Sequence, residues 1–155
     1  ANPKLENEGL KSRVQELEQI VAEKDAQIKL YEKEYELRNI LDIEVRKLLS
    51  ALNSGLFGEA EKDLLNDNIV IKEDRLETPF ENHNNEILFF QNKLDFEKVR
   101  QRSYCLDEQG RFVTEYEVID ISDDIMELVA SRRVLVFTFI EKPSRWKLAD
   151  IGIDR

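Results

Sequence analysis

The sequence predicts an α+β chain in which a long N-terminal helix, read as a coiled coil, leads into a curved, mostly antiparallel sheet wrapped on helices. Three observations predict it. Apolar residues recur at heptad spacing from Leu10 to Tyr35, no Gly or Pro interrupts Leu10 to Ser54, and three long segments after residue 95 alternate with period 2.

In the first segment, position a falls on Asn7, Val14, Val21, Ile28 and Tyr35, and position d on Leu10, Leu17, Lys24 and Tyr31. β-Branched residues at a with leucine at d favour a parallel two-stranded coil, and an Asn at a fixes register. Gly9 and Pro3 mark residues 1–8 as a poor helix. The uninterrupted stretch from Leu10 would extend about 65 Å if wholly helical.

After Tyr35 the frame shifts. Leu41, Val45, Leu48 and Leu52 form a new stripe, three residues out of step with the first. A helix of this kind suits a first half that meets a partner chain and a second half that packs on its own domain. The expected division is a stalk over residues 1–36 and an α+β domain over 37–155.

Asn53-Ser54-Gly55 carries turn chemistry, and Glu59 to Leu65 reads as a short second helix. Ile69 to Lys72 is a short expected strand, Thr78 to Asn85 is loop-like, and Ile87 to Phe90 is apolar. The long segments follow: Asp95 to Leu106, Phe112 to Ile121 across the turn Asp107-Glu108-Gln109-Gly110, then Val134 to Glu141 and Trp146 to Ile153 as a last hairpin. In the first of these, Phe96 and Tyr104 are placed on one face and Val99 and Cys105 on the other. The lone Cys105 is expected to be a small buried hydrophobe.

Charge narrows the function classes. Residues 1–53 carry 9 Lys/Arg against 11 Asp/Glu and residues 54–155 carry 14 against 22, so the globular part holds most of the net charge of −10. Such acidity disfavours nucleic acid, which is bound through clustered Lys and Arg. The longest apolar run, Val134 to Ile140, is far shorter than a membrane-spanning helix needs.

No reactive constellation stands out, and no catalytic residue, metal site or cofactor is expected. His83 sits in a polar loop, one His and one Cys supply no zinc spacing, and there is no Gly-rich phosphate loop. Asp120 to Asp124 reads as a solvated acidic turn. Glu115 and Glu117 share one side of their strand and are candidates for a cavity, with Asp95 or Asp150 as neighbours. Tyr104, Glu115, Tyr116 and Trp146 are the candidate cavity or interface residues.

The order of elements resembles the nuclear transport factor 2-like, or cystatin-like, superfamily. The residues that carry the resemblance are Val45 to Gly55 before an acidic Leu-Leu helix, Asp67 to Ile71 opening the sheet, and Trp146 to Ile153 closing it. The resemblance covers about residues 37–155 and implies a bent sheet that wraps a long helix into a cone. It does not choose a function, because the superfamily holds enzymes, transport adaptors and non-enzymatic domains.

The expected function is a non-enzymatic interaction module that dimerises through its stalk and binds a protein or peptide. The alternative is a small-molecule-binding or enzymatic domain using the cone cavity. A polar lead before a stalk also suggests the extracytoplasmic part of a bacterial lipoprotein or membrane-tethered protein, held by an anchor outside this chain. The other placement is cytoplasmic.

Overall fold

A computed structural model describes residues 3–73, 75–81, 86–89, 93–94, 98–121 and 131–154. The chain is α+β: one long N-terminal helix, a short helix and two antiparallel sheets. It divides into two compact units, Ala1–Glu36 and Leu37–Arg155.

The first unit is the leading part of α1 (Pro3–Ser54). Every residue from Pro3 to Lys33 is exposed. The expectation of a poor helix over residues 1–8 is corrected here, because the helix begins at Pro3. Proline is well placed in a first turn, where its missing N–H has no intrahelical partner, and Gly9 costs only about 1 kcal/mol relative to Ala.

The second unit opens with the rest of α1, whose buried residues are Leu37, Leu41, Val45, Leu48, Leu49, Ala51 and Leu52. Their three- and four-residue spacing sets one face toward a core. The helix stops where Ser54 Oγ donates to the Ala51 carbonyl at 3.2 Å and Gly55 takes φ +72°. A left-handed residue at that point suits glycine, which has no Cβ to clash. Helix α2 (Glu59–Leu64) follows, and the Glu61 carboxylate accepts from the Gly58 N–H at 3.0 Å.

Three short strands, β1 (Val70–Ile71), β2 (Arg75–Thr78) and β3 (Glu86–Phe89), form one sheet in that order. Strand β2 corrects the reading of this stretch: Thr78 belongs to a strand rather than a loop, and it is 1% exposed.

The second sheet has β4 (Lys93–Leu94), β5 (Arg100–Leu106), β6 (Phe112–Ile121), β7 (Ser131–Glu141) and β8 (Trp146–Asp154). Strand β6 pairs with β7 and β7 with β8, while β4 and β5 both pair with β6. The expected strand from Asp95 is shorter than read: it starts at Arg100, and residues 95–97 lie outside the described residues.

One core joins α1, α2 and the large sheet. Along β6, Phe112, Thr114, Tyr116 and Val118 are buried and the residues between them are half-buried. Their register partners Phe139, Phe137 and Leu135 are buried too.

Two irregularities break the alternation. In β5 the register shifts between Gln101 and Ser103, so Gln101 pairs with Tyr116 and Tyr104 with Thr114. An extra residue in one strand turns the side chains before it to the other face. Val99 is accordingly in the core at 6% exposure, whereas Cys105 is exposed, which corrects both the expected burial of Cys105 and the expectation that the two share a face. In β8 the shift falls opposite Thr138/Phe139, leaving Ala149 as the extra residue.

The Ala149 irregularity is sealed from outside the sheet. Asn66 N donates to the Leu148 carbonyl at 2.8 Å, Asn68 Nδ2 to the Ala149 carbonyl at 2.7 Å and Thr78 Oγ1 to the Ile151 carbonyl at 3.4 Å. Strand β8 would otherwise present an open edge.

Candidate functional site

The strongest concentration of polar chemistry in the second unit lies where α1 meets β5 and β6. Strand alternation turns Tyr116 inward, where its ring is fully buried and meets Phe137 edge to face, centroids 5.6 Å apart. A buried phenol needs a hydrogen-bond partner. Helix α1 supplies one: the Tyr116 hydroxyl donates to Asp42 Oδ1 at 2.5 Å.

Asp42 also accepts from Arg46, one helical turn on, at 3.2 Å. The Arg46 guanidinium lies 5.9 Å from the Tyr116 ring centroid and donates to the Val99 carbonyl at 3.5 Å. On the strand side, Gln101 Nε2 donates to Thr114 Oγ1 at 2.9 Å, and Thr114 Oγ1 donates to the Ser103 carbonyl at 2.9 Å. Arg38 Nε then donates to Gln101 Oε1 at 2.8 Å. Helix and sheet are thus joined by a polar chain alongside the apolar core.

Burial pushes the Tyr116 hydroxyl far above its ordinary range, and the hydrogen bond to Asp42 and that carboxylate's charge push it further. Arg46 and the Thr114 hydroxyl pull the other way without cancelling this. A phenol so held is a permanent donor. The arrangement is suited to fixing α1 against β6.

Two smaller clusters lie elsewhere. Arg145 donates to Asp63 at 2.6 Å and Lys147 to the Asp63 backbone carbonyl, tying α2 to the β7–β8 hairpin. Hydrogen bonds from Arg145 and then Lys147 hold the exposed Asp63 carboxyl below its usual range. At the β5–β6 turn, Asp107 Oδ1 accepts from the backbone N–H groups of Gln109 and Arg111 at 2.9 and 2.8 Å. Arg111 reaches Asp107 at 2.8 Å and Glu81 at 2.9 Å.

The four residues singled out from sequence do not form one site. Tyr116 is the centre of the polar chain. Tyr104 shares its sheet face on β5, 36% exposed, with its ring 6.4 Å from that of Phe112. Trp146 begins β8 opposite Glu141 and packs partly buried against the core. Glu115 projects from the opposite face of β6, in register with Ser103 and Val136, and Glu117 shares that side. Asp150 is buried opposite Thr138 on β8. His83 and Asp95, and the acidic turn beyond Ile121, lie outside the described residues.

Sequence reasoning passed over Asp42, Arg46, Arg38, Gln101 and Thr114. The available signal was the i, i+4 pair Asp42/Arg46 flanking the buried stripe Leu41/Val45. Among the described residues, no cluster of His, Cys, Asp and Glu has the arrangement of a metal site, and no helix is long and apolar enough to cross a membrane. Comparison of the chain with protein-family models, curated proteins and solved structures finds no match.

Proposed function

We propose that the chain is a non-enzymatic interaction module that dimerises through the first 36 residues and offers its α+β head to a protein or peptide. The observation that carries this reading is an exposed apolar stripe. Leu10, Val14, Leu17, Val21, Ile28, Tyr31 and Tyr35 are each between 50% and 62% exposed, at a and d spacing along one helix.

Burying the exposed half of each such side chain contributes roughly 1 kcal/mol. A second copy supplies the matching stripe at no cost in new sequence, and the Val/Ile at a with Leu at d favour two parallel strands. In the head, Phe112, Tyr116, Phe137 and Phe139 are fully buried, which favours the surface over an interior cavity as the place of binding.

For the head, the reading extends to a nuclear transport factor 2-like arrangement, with the large sheet curved over α1. The irregularities in β5 and β8 support curvature, because an extra residue bends its strand and increases local twist.

Sedimentation equilibrium tests the dimer. The full chain is expected to sediment as a dimer and residues 37–155 as a monomer, with a Leu17→Asp/Val21→Asp variant following the truncated form. A full chain that stays monomeric at all concentrations overturns the stalk assignment.

A further inference from the structure

We propose that the outer edge of β5 takes up an extended acidic peptide of a partner protein as an added strand. The inference rests on the head's assignment as a protein- or peptide-binding module and names the place and chemistry of that binding. It does not depend on the stalk.

Geometry comes first. Among the described residues, β5 has one strand partner, β6, and no described strand pairs with its other edge from Arg100 to Tyr104. Arg100 and then Arg102, Ser103, Tyr104 and Cys105 are all exposed. This contrasts with the opposite margin of the sheet, where Asn66, Asn68 and Thr78 occupy three carbonyls of β8. Among the described residues, one edge is sealed and the other pairs with no strand. An open edge presents backbone N–H and C=O groups that an incoming strand can pair with, which is the basis of recognition by strand addition.

Charge then selects the guest. Strand β5 carries two arginines and no acid, within a segment, residues 54–155, that holds 14 Lys/Arg against 22 Asp/Glu. Neither Arg100 nor Arg102 makes an ion pair with a described residue. Arg38 adds a third guanidinium beside Gln101, and its hydrogen bonds run to the amide oxygens of Gln101 and Asn39 rather than to a carboxylate.

The three cations also suit a strand by position. Arg100 is in register with Glu117 and so stands on the face away from the core, whereas Arg38 reaches Gln101 from the helix side. An added strand sends alternate side chains to the two faces, so acidic residues at successive positions meet a guanidinium on each. Arg102, the extra residue of the irregularity, has no register partner on β6 and is exposed. From Ser103 to Leu106 the register is regular.

The same charges argue against a second copy as the guest. Two β5 edges brought together place Arg100 and Arg102 of both chains along one seam, and like charges across strands are destabilising. Basic residues on an exposed edge commonly guard against such self-pairing. A guard of one sign still admits a strand of the other.

The test uses the full chain and a fluorescein-labelled ten-residue peptide of Glu-Glu pairs separated by single valines, which sends glutamates to both faces of an added strand. Controls are the same peptide with a central proline and a lysine–valine counterpart. Binding is followed by anisotropy and backbone amide exchange. The expected result is saturable binding of the glutamate peptide with new amide protection within residues 100–106, and no binding of the lysine peptide. The proline peptide and an Arg100→Ser/Arg102→Ser chain with unchanged circular dichroism should each weaken binding about tenfold or more.

Equal binding of the proline peptide, which cannot complete a ladder, overturns strand addition in favour of simple charge attraction. Protection elsewhere on the head overturns the edge assignment while leaving the peptide-binding reading intact. Absence of binding at millimolar peptide overturns the proposal, and the dimer test stands apart from all three.

Discussion

Tyr116 and Asp42, 74 residues apart in sequence, are joined by a 2.5 Å hydrogen bond between a fully buried phenol and a carboxylate on α1. Hydrogen bonds to charged acceptors contribute about 1.5–3 kcal/mol. Tyr116→Phe should therefore cost about 2 kcal/mol in urea unfolding at neutral pH, with the loss falling on the contact between α1 and β6.

The same bond predicts alkaline sensitivity. The folded-state pKa of Tyr116 lies above its ordinary value of 10.0, so its contribution is complete below that pH and is lost as pH rises above it toward the folded value. Unfolding free energy should fall with pH above about 10 in the native chain. The Tyr116→Phe variant should show a shallower decline, and an identical slope would remove Tyr116 as its source.

Asp107 gives the opposite sign. Burial raises its carboxyl, but hydrogen bonds from the Arg111 N–H, the Arg111 guanidinium and the Gln109 N–H outweigh this and leave it below its ordinary value of 3.8. Its contribution is present above that value and lost as pH falls through the lower folded one. Asp107→Asn should cost about 1 kcal/mol at neutral pH and flatten the acid limb of stability, as measured by urea titration at stepped pH.

Asn68→Ala should cost about 1–2 kcal/mol, because its Nδ2 serves the carbonyls of both Ala149 and Pro79 at 2.7 and 2.8 Å. The readout is thermal unfolding together with amide exchange. Faster exchange should concentrate in β8, and uniform acceleration across the sheet would argue against a local seal.

Lys24 stands at a d position between Val21 and Ile28. In the proposed dimer two lysines share that layer, so Lys24→Leu should tighten self-association by roughly 1 kcal/mol or more. Sedimentation over a concentration series measures this. An unchanged association constant would place Lys24 outside the dimer seam.

Where pattern and burial coincide, the fold was legible. Phe112 to Ile121 has the bounds that its pattern predicts, since ten residues alternate without interruption. The change of apolar face after Tyr35 was equally plain, because Leu41, Val45, Leu48 and Leu52 keep helical spacing in a new phase. Strand β2 was not, as Arg75-Leu76-Glu77-Thr78 offers a single large apolar residue between charges.

Single inserted residues were the harder case. Nothing in Arg100-Gln101-Arg102-Ser103 announces a register shift, yet that shift puts Val99 in the core and leaves Cys105 outside it. The polar chain was hidden for another reason. Asp42 and Arg46 read as an ordinary surface pair on a charged helix, and the pairing of Asp42 with Tyr116 comes from tertiary packing that local spacing does not encode.

The seal on β8 limits how copies can accumulate. A sheet that is extendable on both margins can recruit copy after copy into a ribbon without end. Here Asn66, Asn68 and Thr78 already hold the carbonyls of Leu148, Ala149 and Ile151, so growth along that side has no foothold. Edgewise pairing through the large sheet is left with the β5 side, where like arginines oppose a second copy, so a ribbon of heads does not propagate through this sheet.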